Sequence, residues 1–197
     1  LDPERVQPSK PDFNPSQCFI DIGYASLRDG FRDNTAYLAF KAGPPEDVIH
    51  HNHFDHNSFQ INFAGYWVAG DPGYRDYYNA APRKYTLSTF GHNSIVLDLD
   101  DEYLGTLEES VPGHDQLRKA GPHIAQFFAS EAFDYVKGEA AVAYNPKEGD
   151  KVLDRFDRQI VRVKPNIIFV ADTLEAPKPH TYSFMLHPYR SGGIDVD

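Results

Sequence analysis

The feature that most constrains this chain is a rhythm of short runs rich in β-branched and aromatic residues, each closed by Gly, Pro, Asp or Asn. CFIDIGYASLRDG, TAYLAFKAG, SFQINFAGYWVAG, NSIVLDLD, YVKGEAAVAY, RFDRQIVRVKP, NIIFVADTL and HTYSFMLHP follow one another with turn signals between them. Such runs suit strands. Within SFQINFAGYWVAG, Phe59, Ile61 and Phe63 alternate with Gln60 and Asn62, the period of a half-buried strand, before Ala64-Gly65 turns the chain into Tyr66-Trp67-Val68. Pro165-Asn166 breaks RQIVRVKPNIIFVADTL into a hairpin. Only His114 to Phe133, with HDQLRKAG and HIAQFFASEAF, offers an ambiguous short helix. Repeats, heptads and low-complexity segments are absent from the sequence. The reading is all-β: a large antiparallel β-sandwich, supersandwich-like, over 17–197, preceded by a polar, proline-bearing linker or arm over 1–16.

At 197 residues, 41% hydrophobic and 14% aromatic, the chain can bury a real core in one domain. No run approaches the roughly 18 apolar residues of a membrane span. The opening LDPERVQPSKPDF has neither the charged n-region nor the apolar h-region of a signal peptide. A start on Leu1 rather than Met and an end in GGIDVD point to a piece of a longer protein. The lone Cys18 rules out an intramolecular disulfide and reads as inert packing. A net charge of −10 argues against nonspecific binding to nucleic acid or anionic membranes, which need a basic footprint. It leaves an anionic substrate open, because a local basic pocket or a metal can override the global sign.

Four of the nine histidines fall between His50 and His56, in HHNHFDHNSF, directly ahead of a strand. In an extended segment, residues two apart point the same way, so His51, His53 and Asp55 share one side while Asn52, Phe54 and His56 take the other. Two imidazoles and a carboxylate suit zinc or a similar divalent ion, but a site needs further ligands from elsewhere. Asp71, ending a hydrophobic strand in AGDPGY, and His92, just before another in TFGHNSIVLD, are the candidates. Each also has a plain alternative: a surface histidine loop, an ordinary turn aspartate, and a polar residue leading into a strand.

The ordered pieces His51-x-His53-x-Asp55-x-x-Ser58-Phe59, Gly65-x-Trp67, Gly70-Asp71-Pro72-Gly73-Tyr74 and Tyr85-x-x-Ser88-Thr89-x-x-His92-Asn93-Ser94 resemble the heparinase II/III-like family of polysaccharide lyases. That family includes heparin, heparan and oligoalginate lyases, and dermatan sulfate epimerases are similar. IDIGYASLRDGF, YVKGEAAVAY and DRQIVRVKPNIIFVADTL resemble its sandwich strands, so the likeness runs from about Cys18 to His187. The resemblance implies an α/α toroid followed by the β-sandwich, the active site between them, and a parent in the periplasm or secreted. It implies a zinc ion, or manganese, on His53, Asp71 and His92, with Asp55 and Asn57 orienting the histidines.

The family's reaction is β-elimination on a uronic-acid-containing polysaccharide: a base takes the C5 proton, the carboxylate is neutralised, and an acid protonates the leaving oxygen. In similar lyases the principal Tyr, His and Asn lie on the toroid, so the isolated sandwich is expected to be inactive. From the sandwich, the resemblance implies catalytic contributions from His51 and Tyr85, and from Tyr74 after a turn that is one residue shorter than the family pattern. Arg83 and Lys84, in the same loop, are candidates for a substrate carboxylate or sulfate. The rival readings are a noncatalytic carbohydrate-binding or structural sandwich, or a uronosyl epimerase domain. A cupin-type oxygenase would want a glutamate soon after the His-x-His, and positions 54–59 hold none.

Overall fold

The computed structural model of the chain describes residues 11–31, 35–46, 51–74, 80–106 and 108–188. The proposed arm over 1–16 and His50 therefore fall largely outside the described residues. Where the chain enters, Ser16 is already buried, its hydroxyl donating to the Asp134 carboxylate at 2.8 Å.

The first sheet is an antiparallel meander of β1 (Gln17–Phe19), β2 (Tyr24–Arg28), β3 (Ala36–Lys41), β4 (Ser58–Phe63) and β5 (Tyr66–Ala69), in that spatial order. Helix α1 (Ala80–Leu87) and a 3-10 turn at Thr89–Gly91 lead to β6 (Ile95–Leu97) and α2 (Asp101–Thr106). The second sheet holds β7 (His123–Ala129), β8 (Phe133–Glu139), β9 (Arg155–Val163) and β10 (Ile167–Glu175), with α3 (Ala141–Tyr144) between β8 and β9. A final strand, β11 (Tyr182–Phe184), pairs antiparallel with β6. Leu27, Leu38, Phe40 and Phe59 of the first sheet pack against Ile124, Val136 and Ile160 of the second. This is the sandwich expected from the alternating runs. The Pro165-Asn166 break is a hairpin, with Val163 opposite Ile167.

Helices fall where the sequence reading did not place them. The expected helix within His114 to Phe133 is instead a turn followed by β7, because Ile124 and Phe127 point into the core and the backbone pairs with β8. Non-local pairing overrides a weak local preference there. Conversely, YVKGEAAVAY is strand only to Glu139; its alanines, strong helix formers, wind into α3 and bury Tyr144, whose hydroxyl donates to the Ile95 carbonyl at 2.6 Å. Helix α2 starts from Asp100, whose carboxylate accepts from the Tyr103 amide at 2.8 Å, an N-cap arrangement. On the side of the second sheet turned away from the core, Phe128, Phe133, Ile167 and Phe169 stand exposed.

The sandwich also encloses charge. Arg158, on β9, is fully buried; its guanidinium grips both oxygens of Asp172 at 2.7 Å and donates to the carbonyls of Asn57 and Asn93, also at 2.7 Å. Asp172 lies directly opposite on β10. Removing the cation leaves a carboxylate and two carbonyls without their donor. Arg158→Ala should therefore lower the unfolding free energy by about 3–5 kcal/mol, whereas Arg158→Met with Asp172→Leu should recover the part due to the unpaired carboxylate and leave the part due to the two carbonyls. Denaturant midpoints at constant m-value distinguish the two.

Asp115 is buried, accepting from the Tyr103 hydroxyl at 2.9 Å and the Val111 amide at 3.0 Å. Burial dominates and pushes its carboxyl up to about 6, against the lowering by those donors and His114. Because the folded value exceeds the unfolded 3.8, the folded state binds more protons between about pH 4 and 6. The contribution of this carboxyl is thus largest at low pH and declines as pH rises through that window. The stability of the native protein relative to Asp115→Asn should fall by about 1–3 kcal/mol from pH 4 to pH 7. A difference that is flat with pH would contradict this.

Candidate functional site

The histidine segment lies between β3 and β4 and is fastened along its length. Gln116 clasps the backbone of His56, accepting from its amide at 2.8 Å and donating to its carbonyl at 2.9 Å. The Ser94 hydroxyl donates to that carbonyl too, at 2.9 Å. The Phe54 amide donates to the Leu87 carbonyl at 3.0 Å. Asn57 adopts a left-handed φ of 56° and sends its amide to the carbonyls of Gly138 and Phe156, each at 3.3 Å. A Cβ at position 138 would stand 2.1 Å from the Asn57 amide oxygen, so β8 carries glycine where this loop crosses the sandwich.

The expected parity holds for His53 and His56 but not for Asn52, which lines the cleft beside Asp55 and accepts from the same Lys41 ammonium, because the backbone at His51 is left-handed (φ 64°) rather than extended. His56 turns inward and is wholly buried; Nδ1 accepts from the Gly43 amide at 3.3 Å, so the ring proton lies on Nε2, donated to the Arg118 carbonyl at 3.1 Å. Burial, reinforced by Lys41, brings its pKa down to about 4, so it is a neutral packing residue. His51, His53 and Asp55 instead line a cleft of about 230 Å³, with Asp71 and Tyr74. Its floor is the side of the first sheet turned from the core, where Tyr24, Lys41, Ala39 and Gln60 are cross-strand neighbours.

Ligand-type atoms of His53, Asp55 and His92 all lie within 4.8 Å of one another. Asp71 meets them through His92, its Oδ2 standing 2.8 Å from His92 Nδ1. The other His92 nitrogen, Nε2, is 3.1 Å from the Thr86 carbonyl. The His53 ring lies 5.3 Å from both the Tyr74 and His92 rings, nearly parallel to Tyr74. Burial, with His92 and Lys41, brings the His53 pKa down to about 4 despite the two aspartates, leaving a neutral imidazole near pH 7. Asp55 is ion-paired with the buried Lys41. Burial alone would raise its carboxyl, but Lys41, with His92 and His56, holds it well below the usual range. Asp71 is lowered by its contact with His92 and the Gly73 amide, against burial.

The other candidates are distributed around this centre. His51 and Tyr74 share the cleft, their rings 6.3 Å apart and edge to face. Tyr85, on α1, is not among the residues lining it; its hydroxyl is 3.5 Å from Nδ1 of His187. Burial and Asp71 raise its pKa, so the phenol keeps its proton. Arg83 and Lys84 pair with Glu109 at 3.3 Å and Glu108 at 2.5 Å, outside the cleft lining.

Several participants escaped sequence reasoning. Lys41 and Tyr24 enter the cleft from strand positions that look like ordinary outward residues. His187 lies after β11 beside Tyr85; its Nε2 donates to the Phe90 carbonyl at 2.8 Å, and burial lowers its pKa. Asn93 joins three segments, donating to the carbonyls of Phe59 and Gly70 and accepting from the His187 amide, at 2.7–2.8 Å. Its place next to His92 in the His-Asn-Ser motif was the available signal.

Solved structures share the fold, among them a heparan sulfate lyase and two heparinase III proteins. Heparan sulfate lyase HepC from Pedobacter heparinus aligns with a TM-score of 0.65 and 17% identity over 88% of this chain and 24% of that one. A heparinase III gene product gives a TM-score of 0.67 and 17% identity over 87% and 24%. Another heparinase III gives 0.61 and 16% over 83% and 23%. The chain thus spans about a quarter of the length of these proteins. No curated protein matches it. The family described as "Heparinase II/III-like, C-terminal" matches residues 13–191, nearly the whole chain, and the chain accordingly belongs to that family.

Proposed function

We propose that this domain is the sandwich portion of a polysaccharide lyase that cleaves a uronic-acid-containing polysaccharide by β-elimination, and that it holds a zinc or manganese ion on His53, Asp71 and His92. One observation carries the metal reading. A carbonyl oxygen only accepts, so a neutral His92 keeps its proton on Nε2 toward Thr86, and Nδ1 then turns a lone pair toward the Asp71 carboxylate 2.8 Å away. Two acceptors at that separation call for a cation beside them, a proton or a metal. The neutral His53 and the carboxylate of Asp55 face the same point, which favours the metal. The Thr86 carbonyl plays the outer part usual for a ligating histidine. A bound divalent ion supplies a charge that joins segments following β3, β5 and α1, and an electrophile wherever a coordination position stays open.

The chain's own groups suit the rest of the reaction unequally. His51 and Tyr74 stand where a sugar entering the cleft would meet them. Tyr85 retains its proton, so it suits protonation of the leaving oxygen better than abstraction at C5. Arg83 and Lys84 can turn toward a carboxylate or sulfate only by releasing Glu109 and Glu108. A helical toroid of the same parent chain and an anionic polysaccharide are the partners this reading requires, in a periplasmic or secreted setting.

Metal analysis of purified protein tests the ligand assignment. About one equivalent of zinc or manganese is expected, lost in His53→Ala, Asp71→Ala and His92→Ala but retained in His56→Ala, which should be destabilised by its packing role alone. Chelation should lower the melting temperature by an amount set by the ratio of free metal to dissociation constant. Unchanged metal in all three ligand variants would refute the assignment.

Activity separates the domains. The 197-residue chain alone should form no ultraviolet-absorbing unsaturated product from alginate, heparan or chondroitin-type substrates. In a longer chain carrying the toroid, Tyr85→Phe and His51→Ala should lower turnover by about 10²- to 10⁴-fold with metal still bound. Robust activity from the sandwich alone would mean that it holds a complete site.

A further inference from the structure

We infer that Asp55 is a fourth protein ligand of the metal, set in place by Lys41, and that a four-coordinate ion such as zinc held there has no position left for water or substrate. The inference rests on the metal reading above and assigns Asp55 a place in the coordination sphere rather than the orienting role implied by the family resemblance.

The compact cluster of ligand-type atoms consists of His53, Asp55 and His92, with Asp71 attached at His92. Asp55 is thus at least as central as Asp71. Its carboxylate is buried and immobilised: Oδ1 accepts from the Lys41 ammonium, which also donates to the Asn52 amide oxygen, while the Asn52 amide nitrogen donates to the Lys119 carbonyl. This chain of contacts fixes the carboxylate plane and engages only one oxygen. A buried carboxylate held in place by an ammonium, with a ligand-type oxygen within 4.8 Å of those of two imidazoles, is placed to share a metal with them.

Charge supports the same assignment. Two carboxylates close together repel. Lys41, ion-paired with Asp55, offsets one of the two negative charges that Asp55 and Asp71 bring to the cleft. Lys41 approaches from the sheet, opposite the histidine segment, and is as buried as Asp55. It is a positioning residue, acting on the metal through Asp55.

The consequence concerns the kind of centre this is. Two imidazoles and two carboxylates complete a four-coordinate sphere, the pattern of structural sites; a catalytic site leaves one position for water or substrate. The ion then joins the histidine segment, the end of β5 and the turn before β6, and proton transfer falls to groups such as His51, Tyr74 and Tyr85.

Cobalt(II) reconstitution of the chain tests this, because the visible spectrum reports the coordination sphere and azide enters only an open position. The expected result is one equivalent of cobalt whose spectrum azide leaves unchanged. In Asp55→Asn, azide should perturb the spectrum, and affinity measured by chelator competition should fall by more than the 10- to 100-fold typical of losing an outer partner. Lys41→Met should lose about 10- to 100-fold in affinity with the azide-insensitive spectrum preserved. A wild-type spectrum shifted by azide, or Asp55→Asn binding within tenfold of wild type, would overturn the inference while leaving the metal reading intact. If Asp55→Asn does not fold, the wild-type azide titration still decides. No cobalt or zinc bound by wild type would instead overturn the metal reading itself.

Discussion

Arg158 occupies the middle of the sandwich, and its guanidinium reaches three separate parts of the chain. Asp172 on the neighbouring strand neutralises it, and the rings of Phe59, Phe156 and Phe184 surround it, the last with its centroid 4.8 Å away. Its remaining donors go to the carbonyls of Asn57 and Asn93. Asn57 closes the segment that carries His53 and Asp55, and Asn93 follows His92. A side chain of the second sheet therefore sets the spacing of two segments whose imidazoles and carboxylates meet on the far side of the first. A buried charge is an expensive way to hold backbone, but it is directional, and apolar contacts are not.

The same segment shows how one stretch of sequence serves two environments. On its inner side, His56 is neutral and its main chain is clasped by Gln116, much as a partner strand would hold it. On its outer side, His53 is also neutral, yet its neighbours are two carboxylates, a lysine and an open cleft. Low basicity has opposite uses in the two places: it permits burial without a counter-ion at His56, and it presents a lone pair at His53.

Much of this was legible in the sequence, for a physical reason. Strand alternation is a local signal, so the hairpins at Ala64-Gly65 and Pro165-Asn166 and the opposite facing of His53 and His56 could be read without tertiary information. Asp71 and His92 meet because the motif order reflects neighbouring segments. The helices were harder. In α3, alanines that also suit a buried strand chose helix because β8 had already ended, and β7 became a strand through pairing that no local window contains. Lys41 was invisible for a related reason: its strand face looks solvent-directed until the histidine segment folds over it. Gln116 and Arg158 act over separations of 60 and 101 residues, beyond the range of any periodicity.

The exposed row of Phe128, Phe133, Ile167 and Phe169 on the second sheet has a colloidal consequence. Two such faces can bury apolar area against each other, and apolar patches of this kind favour self-association. What opposes it is mutual repulsion between molecules that each carry a formal charge of −10. Salt screens that repulsion without weakening the apolar contact, and mild acid titrates it away. The domain should therefore remain dispersed most readily in dilute buffer above neutrality, and its solution behaviour should depend on ionic strength far more than its folding does.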